Sequence, residues 1–155
     1  MEQEKRFAVI QVPGLSWPPT LKLPAKRFRL FVAANISGVN TQIVSDFALA
    51  ALNHGMVYFC SWGPDCERFH DIVDEVILED NLNEHKFSGP GNGDVIMTTW
   101  HAHDSLEEAI DFFATCAVPT DGFAPESGFR LVICVGNQDW AAGADKLLRH
   151  TKFFV

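Results

Sequence analysis

The chain alternates four times between a short apolar run and an amphipathic stretch with helical spacing, and this alternation constrains the fold more than any other feature. The apolar runs are rich in β-branched and aromatic residues and lack a clean two-residue alternation, which is typical of strands covered on both faces. They are "RLFVAAN", "MVYFCSW", "DVIMTTW" and "FRLVICVG". The stretches between them repeat apolar residues three and four positions apart, as helices with one buried face do.

Such an alternation predicts parallel strands, because each helix must carry the chain back across the sheet. We therefore expect an α/β fold: a three-layer sandwich of Rossmann-like or flavodoxin-like type around a four-stranded, mainly parallel sheet. For the strand order, which the pattern does not determine, we expect 2-1-3-4. Residues 28–155 would form this single domain, which is long enough for one hydrophobic core.

Residues 1–27 are expected to form a proline-rich N-terminal arm. Four of the eight prolines lie at positions 13, 18, 19 and 24, and proline favours extended segments outside helices and central strands. Phe7–Val12 could form a short strand within the arm. The rest is expected to run over the body and to be held there by Trp17.

Charge is unevenly distributed along a chain whose net charge is −8. Residues 1–30 contain six basic and two acidic side chains, whereas residues 65–85 contain eight acidic side chains and one basic. Because the chain beyond residue 30 is strongly acidic, it repels phosphate backbones, and we expect no nucleic-acid partner. Because no apolar run suits a membrane helix or a secretory signal, we expect no membrane association and a cytoplasmic location. The four cysteines form no CxxC pair, and we expect them to be buried and reduced.

The polar residues that follow each predicted strand are the candidate site, because ligands of open parallel sheets bind beyond the carboxyl ends of the strands. Three of the four tryptophans occur at this edge. Aromatic and polar side chains together suit a flat ligand or a protein partner, although the same rings could simply cap the hydrophobic core. The candidate ligand-binding residues are Asn35, Ser37, Gly38, Asn40, Thr41, Trp62, Asp65, Thr99, Trp100, His101, Asp139 and Trp140.

The stretch "TTWHAHDSLEEA", residues 98–109, has two interpretations. Ser105 and Glu108 have the spacing of a capping box and predict the start of a helix. His101 and His103 form an HxH pair that could hold a divalent metal if neighbouring loops supply further ligands. The stretch resembles the His-x-His-x-Asp-His signature of metallo-β-lactamase-type hydrolases, but here aspartate directly follows the second histidine and no histidine comes next. A metal-dependent hydrolase is therefore one functional hypothesis, which ranks third after the two given below.

The stretch "ISGVNT", residues 36–41, resembles the phosphate-binding loop of flavodoxins, in which hydroxyls and free amides at a helix N-terminus receive an anion. That resemblance implies FMN, but flavodoxins start with a strand and need five, whereas four strands and an arm are expected here. The sequence contains no Walker loop, no GxGxxG after a strand and no GxSxG elbow. We predict no cofactor, with FMN and a divalent metal as the alternatives.

Two tracts, "WGPDCERFHDIVDE" and "TTWHAHDSLEEAIDFF", resemble small bacterial proteins described only as a domain of unknown function. The resemblance implies an α/β fold in a bacterial cytosol and no particular activity. Because no catalytic constellation is recognisable, we expect a non-catalytic binding or adaptor domain that meets a protein partner through the tryptophan-rich edge and the acidic second helix. The alternative is a protein or enzyme that binds a nucleotide, a flavin or another small anion between residues 35–41 and 98–103. The oligomeric state is left open.

Overall fold

The computed structural model describes residues 6–87, 89–91 and 93–151, in which helices cover both faces of one parallel sheet. The first five residues of the arm and the last four of the predicted domain lie outside this description. The α/β class and the parallel pairing are confirmed. The strands are β1 (Phe7–Val12), β2 (Phe28–Ala33), β3 (Met56–Trp62), β4 (Met97–Trp100) and β5 (Arg130–Val135). The helices are α1 (Thr41–Asn53), α2 (Cys66–Leu82), α3 (Leu106–Thr115) and α4 (Gln138–Arg149), with a short 3-10 turn at Ala124–Glu126.

The sheet has the order β1-β5-β2-β3-β4, and every pair of neighbours is parallel. The expected four strands in the order 2-1-3-4 are therefore wrong in both respects. Phe7–Val12 forms a fifth strand at one edge, and β5 inserts between β1 and β2. The physical reason is the apolar character of β5, whose Leu131, Val132, Ile133 and Cys134 are completely buried. A strand that is apolar on both faces is stable in the middle of the sheet, where helices cover it from both sides.

Two hydrophobic cores lie on the two faces of the sheet, because successive side chains of a strand point in opposite directions. In β2, Leu30 and Val32 pack with α1 and α2, whereas Phe31 and Ala33 pack with α3 and α4. We call these the α1/α2 face and the α3/α4 face. The two covered faces make the molecule a three-layer sandwich.

Residues 13–27 connect β1 to β2 along the α1/α2 face, and Trp17 anchors them as the sequence indicates. Its ring is 9% exposed and lies 5.9 Å from that of Phe28, 5.8 Å from that of Phe47 and 4.9 Å from that of His54. Since β1 belongs to the sheet, the division into an arm and a body at residue 27 stays a prediction.

Asp94 joins the two long connections that precede β4 and β5. One carboxylate oxygen accepts hydrogen bonds from the hydroxyl of Thr120 at 2.9 Å and the N–H of Gly122 at 3.0 Å, and the other accepts from the N–H of Gly91 at 2.7 Å. Bonds from Gly91 and Gly122, and then that from Thr120, hold the pKa of Asp94 below its ordinary value. A carboxylate that accepts several N–H bonds favours its charged form. Ser88 and Asn92, in the first connection, lie outside the described residues.

Three of the four cysteines are buried, but Cys116 is exposed, so the expectation that all four are buried is wrong. Cys116 is the first residue after α3, where the inward stripe of that helix ends. Burial raises the pKa of Cys60 and of Cys134 to about 12.

None of the helices in the described part of the chain combines the length and the apolar composition needed to cross a membrane.

Candidate functional site

Several predicted polar residues at the carboxyl edge serve the local structure of loops and helix starts. Asn40 caps α1 by accepting a backbone N–H of its first turn at 2.7 Å, and Asn35 accepts the N–H of Ser37 at 3.0 Å. Gly38 has a φ of +76° beside open space. Asp139 lies in the first turn of α4, where a carboxylate complements the positive end of the helix. Of these groups, the side-chain oxygens of Asn35 and Asn40 already have donors.

Arg68, a residue of α2, fills the loop that resembles a flavodoxin phosphate site. Its guanidinium donates to the carbonyl of Val39 at 2.8 Å and to the hydroxyl of Thr41 at 3.1 Å. It also lies 3.6 Å from the carboxylate of Asp65. Asp65 precedes α2 with a left-handed backbone (φ 64°), and its side chain does not cap that helix. The loop thus presents carbonyl oxygens and a hydroxyl to a cation of the protein itself.

The three tryptophans of the predicted edge do not form one surface. Trp62 and Trp140 meet on the α3/α4 face with ring centroids 5.1 Å apart, and the Trp62 indole donates to the carbonyl of Asp104 at 2.9 Å. Trp100 lies over the ring of His70 on the α1/α2 face, at 4.5 Å, and is 44% exposed. Two rings therefore contribute to the core, and the third is available at the surface.

His101 belongs to a chain of hydrogen bonds on the α3/α4 face. It is 8% exposed; its Nδ1 lies 2.9 Å from the Asp104 carboxylate and its Nε2 lies 3.0 Å from the hydroxyl of Thr99. That hydroxyl donates in turn to the sulfur of Cys60 at 3.3 Å, and the imidazole ring packs against Phe112 at 4.8 Å. Both ring nitrogens are thus engaged inside the protein, as in a structural histidine.

His103, two residues later, is exposed. Across the described ranges, no three histidine, cysteine or acidic side chains come together as a metal site would require. The predicted capping box is confirmed: the Ser105 hydroxyl accepts the N–H of Glu108, and the Glu108 carboxylate accepts the N–H of Ser105, both at 3.1 Å.

A second Asp–His–Thr chain, which the sequence analysis missed, lies on the other face of β4. His70 Nδ1 is 2.9 Å from the Asp71 carboxylate, and its Nε2 is 2.9 Å from the hydroxyl of Thr98. The Thr98 hydroxyl donates to Asp74 at 2.5 Å. These hydrogen bonds join Thr98 of β4 to His70 and Asp74 of α2, and so they hold the strand against the helix. The ring of His70 in turn supports that of Trp100. The adjacent threonines were the available signal, because neighbouring strand residues point to opposite faces.

Exposed apolar side chains occur on β4, just before it and on α2, which packs against it. Asp74 contacts β4, and the residues one and two turns later on the same stripe of α2 are Leu78 and Leu82, 57% and 74% exposed. Five of the eight exposed large apolar residues among those described belong to this region. We call them the β4-edge surface: Leu78, Leu82, Val95, Met97 and Trp100.

A cavity of about 720 Å³ lies at the opposite, amino edge of the sheet. It is bounded by the segment of the chain just before β2, the end of α1, the start of β3, Phe87 and Phe123. None of the residues predicted to bind a ligand lines this amino-edge cavity. The sequence analysis missed it because its walls come from distant segments that share no motif.

Residues 11–151 match the family described as a domain of unknown function, DUF7684. The chain belongs to this family. Neither the curated proteins nor the solved structures compared with the chain include a match. The membership of DUF7684 agrees with the resemblance drawn from the sequence and leaves the function unknown; the bacterial origin and the cytoplasmic location stay predictions.

Proposed function

We propose that this DUF7684 protein is a non-catalytic binding domain whose β4-edge surface docks an extended, basic and apolar segment of a partner protein. The observation that carries the proposal is Trp100, which is 44% exposed on the outermost strand of the sheet. Large exposed apolar patches mark interaction sites, and tryptophan is enriched among the residues that dominate binding energy.

The geometry of β4 suits strand addition. Its inner edge pairs with β3, and no strand within the described ranges pairs with its outer edge. Sheets normally protect such an edge with charge, proline or a covering element. Here Val95 and Met97, 50% and 37% exposed, border it. An added strand would gain main-chain hydrogen bonds from the edge and specificity from the side chains.

The surface is also held in place before a partner arrives. Trp100 rests on His70, which is 8% exposed, and Thr98 is bonded to both His70 and Asp74. A surface fixed in this way loses little side-chain entropy on binding, so more of the contact energy remains as affinity.

Charge selects the class of partner. Arg68 is the one basic residue of α2, beside six acidic ones: Glu67, Asp71, Asp74, Glu75, Glu79 and Asp80. A partner segment with lysine or arginine between its apolar residues would complement this helix. A second copy of the chain added through β4 would bring two acidic helices side by side, which like-charge repulsion disfavours.

The test is fluorescence anisotropy with a labelled peptide of alternating valine and lysine. Trp100→Ala is expected to weaken binding about thirtyfold, the loss typical of a central aromatic contact. Leu49→Ala, which truncates an equally exposed residue of α1, is the control and should have no effect. Failure of the peptide to bind, or equal weakening by both variants, contradicts the proposal. So does a dimer in sedimentation velocity that Met97→Lys dissociates, because the occupant would then be a second copy.

A further inference from the structure

We propose that the amino-edge cavity binds an amphipathic anion, a molecule with an apolar body and a carboxylate or phosphate head. Cavities of roughly 300–1,000 Å³ hold compact organic ligands, and this one has about 720 Å³. It lies at the end of the sheet opposite to the expected site, and its lining residue Ile96 lies between Val95 and Met97 of the β4-edge surface.

The apolar part of the lining comes from both strands and connections. Met56 opens β3 and is 2% exposed, and Leu52 ends the buried stripe of α1 at 3%. Phe87, Ile96 and Phe123 also belong to the apolar lining. Such a surface gains free energy by removing an acyl chain or an aromatic ring from water.

One wall of the cavity is held rigidly by Gly55. This residue has a φ of +106°, and a Cβ placed on it would overlap the carbonyl oxygen of Lys26. The Phe28 N–H also donates to the Gly55 carbonyl at 3.1 Å. The chain before β2 is thus fixed against the end of α1, and the cavity exists without a ligand. Pre-formed walls of this kind are usual in small-molecule sites.

Four cationic side chains line the cavity in a protein whose net charge is −8. Arg27 lies 3.9 Å from Glu126 and over the ring of Phe123, and Lys86 pairs with Glu84 at 2.7 Å. The other two are Lys22 and Lys26. Within the described part of the chain, neither forms an ion pair with a carboxylate, so both ammonium groups can meet an anionic head at the mouth of the cavity.

A structural explanation competes with this one, because α1 ends at the cavity and lysines near a helix C-terminus complement its partial negative charge. That explanation accounts for one cation near one helix end. It does not account for four cations, three of them from the segment before β2, around an apolar lining. The negative helix end also disfavours a ligand of high charge, so a single anionic head fits best.

The experiment measures fluorescence of anilinonaphthalene sulfonate, an aromatic anion, with the folded full-length protein. We expect saturable binding that decanoate displaces and that decanol, which is uncharged, displaces at least about tenfold less well. Replacing decanoate with phenyl phosphate separates a carboxylate-selective site from a phosphate-selective one, and inorganic phosphate tests whether the head alone is sufficient. Displacement by either organic anion supports the proposal.

Lys22→Ala/Lys26→Ala should weaken the probe about tenfold, because two exposed ammonium groups are lost from the mouth. Lys146→Ala/Arg149→Ala is the matched control: it removes the same formal charge from α4, on the other face. Absence of saturable binding, equal effects of the two double variants, or equal displacement by decanol and decanoate would overturn the proposal. In each of those cases the lysines serve only the helix end.

Discussion

His101 and His103 either serve the structure or bind a metal, and replacing each histidine by alanine distinguishes the two interpretations. His101→Ala removes two partly buried side-chain hydrogen bonds, to Asp104 at 2.9 Å and to Thr99 at 3.0 Å, and a ring contact with Phe112. Two such bonds, one to a carboxylate, together with the void left by the ring, are worth about 3 kcal/mol of unfolding free energy. For a chain of this size the melting temperature should fall by roughly 6–12 °C.

The assay is urea unfolding followed by tryptophan fluorescence, with His103→Ala as the control. Because His103 is exposed, its loss should change the unfolding free energy by less than about 0.5 kcal/mol. Equal midpoints for the two variants would refute the structural role of His101. A rise in the wild-type midpoint with zinc, absent from both variants, would instead establish the metal site.

Three further predictions concern backbone, pH and thiols. Gly55→Ala should destabilise the protein by about 1–3 kcal/mol or more in urea unfolding, because its φ is +106°, whereas Gly14→Ala, beside open space, should stay within about 0.5 kcal/mol. Because the pKa of Asp94 is lowered, its carboxylate stabilises the fold at pH values above the ordinary pKa of 3.8, and this stability is lost as the pH falls through the lowered pKa. The urea midpoint of wild type should therefore exceed that of Asp94→Asn by less at acid pH than at neutral pH. A difference that does not change with pH would contradict this. A disulfide reagent should modify one thiol in the native protein and four after unfolding, and Cys116→Ser should abolish the native reaction; modification of a second native thiol would contradict the burial of the other three.

Local pattern predicts the elements of this fold but not their arrangement. Helical spacing and short apolar runs indicate four strands and four helices, because each signal lies within one element. The strand at Phe7–Val12 was harder to recognise, since it is followed by prolines and its partner is β5. Strand order depends on which strands helices cover on both faces, and that is a property of the assembled sheet. No window of the sequence contains it.

The same distinction applies to the candidate site. The bond between Ser105 and Glu108 spans three residues, so the sequence predicts it. The link from Thr99 to Cys60 depends on the register of β4 against β3. In the same register Trp100 pairs with Ser61, so alternation along the strands places Trp100 and Trp62 on different faces of the sheet. The amino-edge cavity requires five separated segments. The only sequence signal for this cavity is that its lysines belong to a basic stretch of an acidic chain. Where those lysines lie relative to the apolar lining is known only from the fold.

The pairing of β1 with β5 has a consequence for how the protein is made. The neighbour of Phe7 in the sheet is Arg130, so β1 has no strand to join until the whole stretch between them has been translated. The units from β2 to β4 can assemble progressively, because each strand lies beside the one translated before it. Closing the sheet is therefore a late step dominated by long-range contacts, of the kind that slows folding. Until then, the first strand remains open to chaperones.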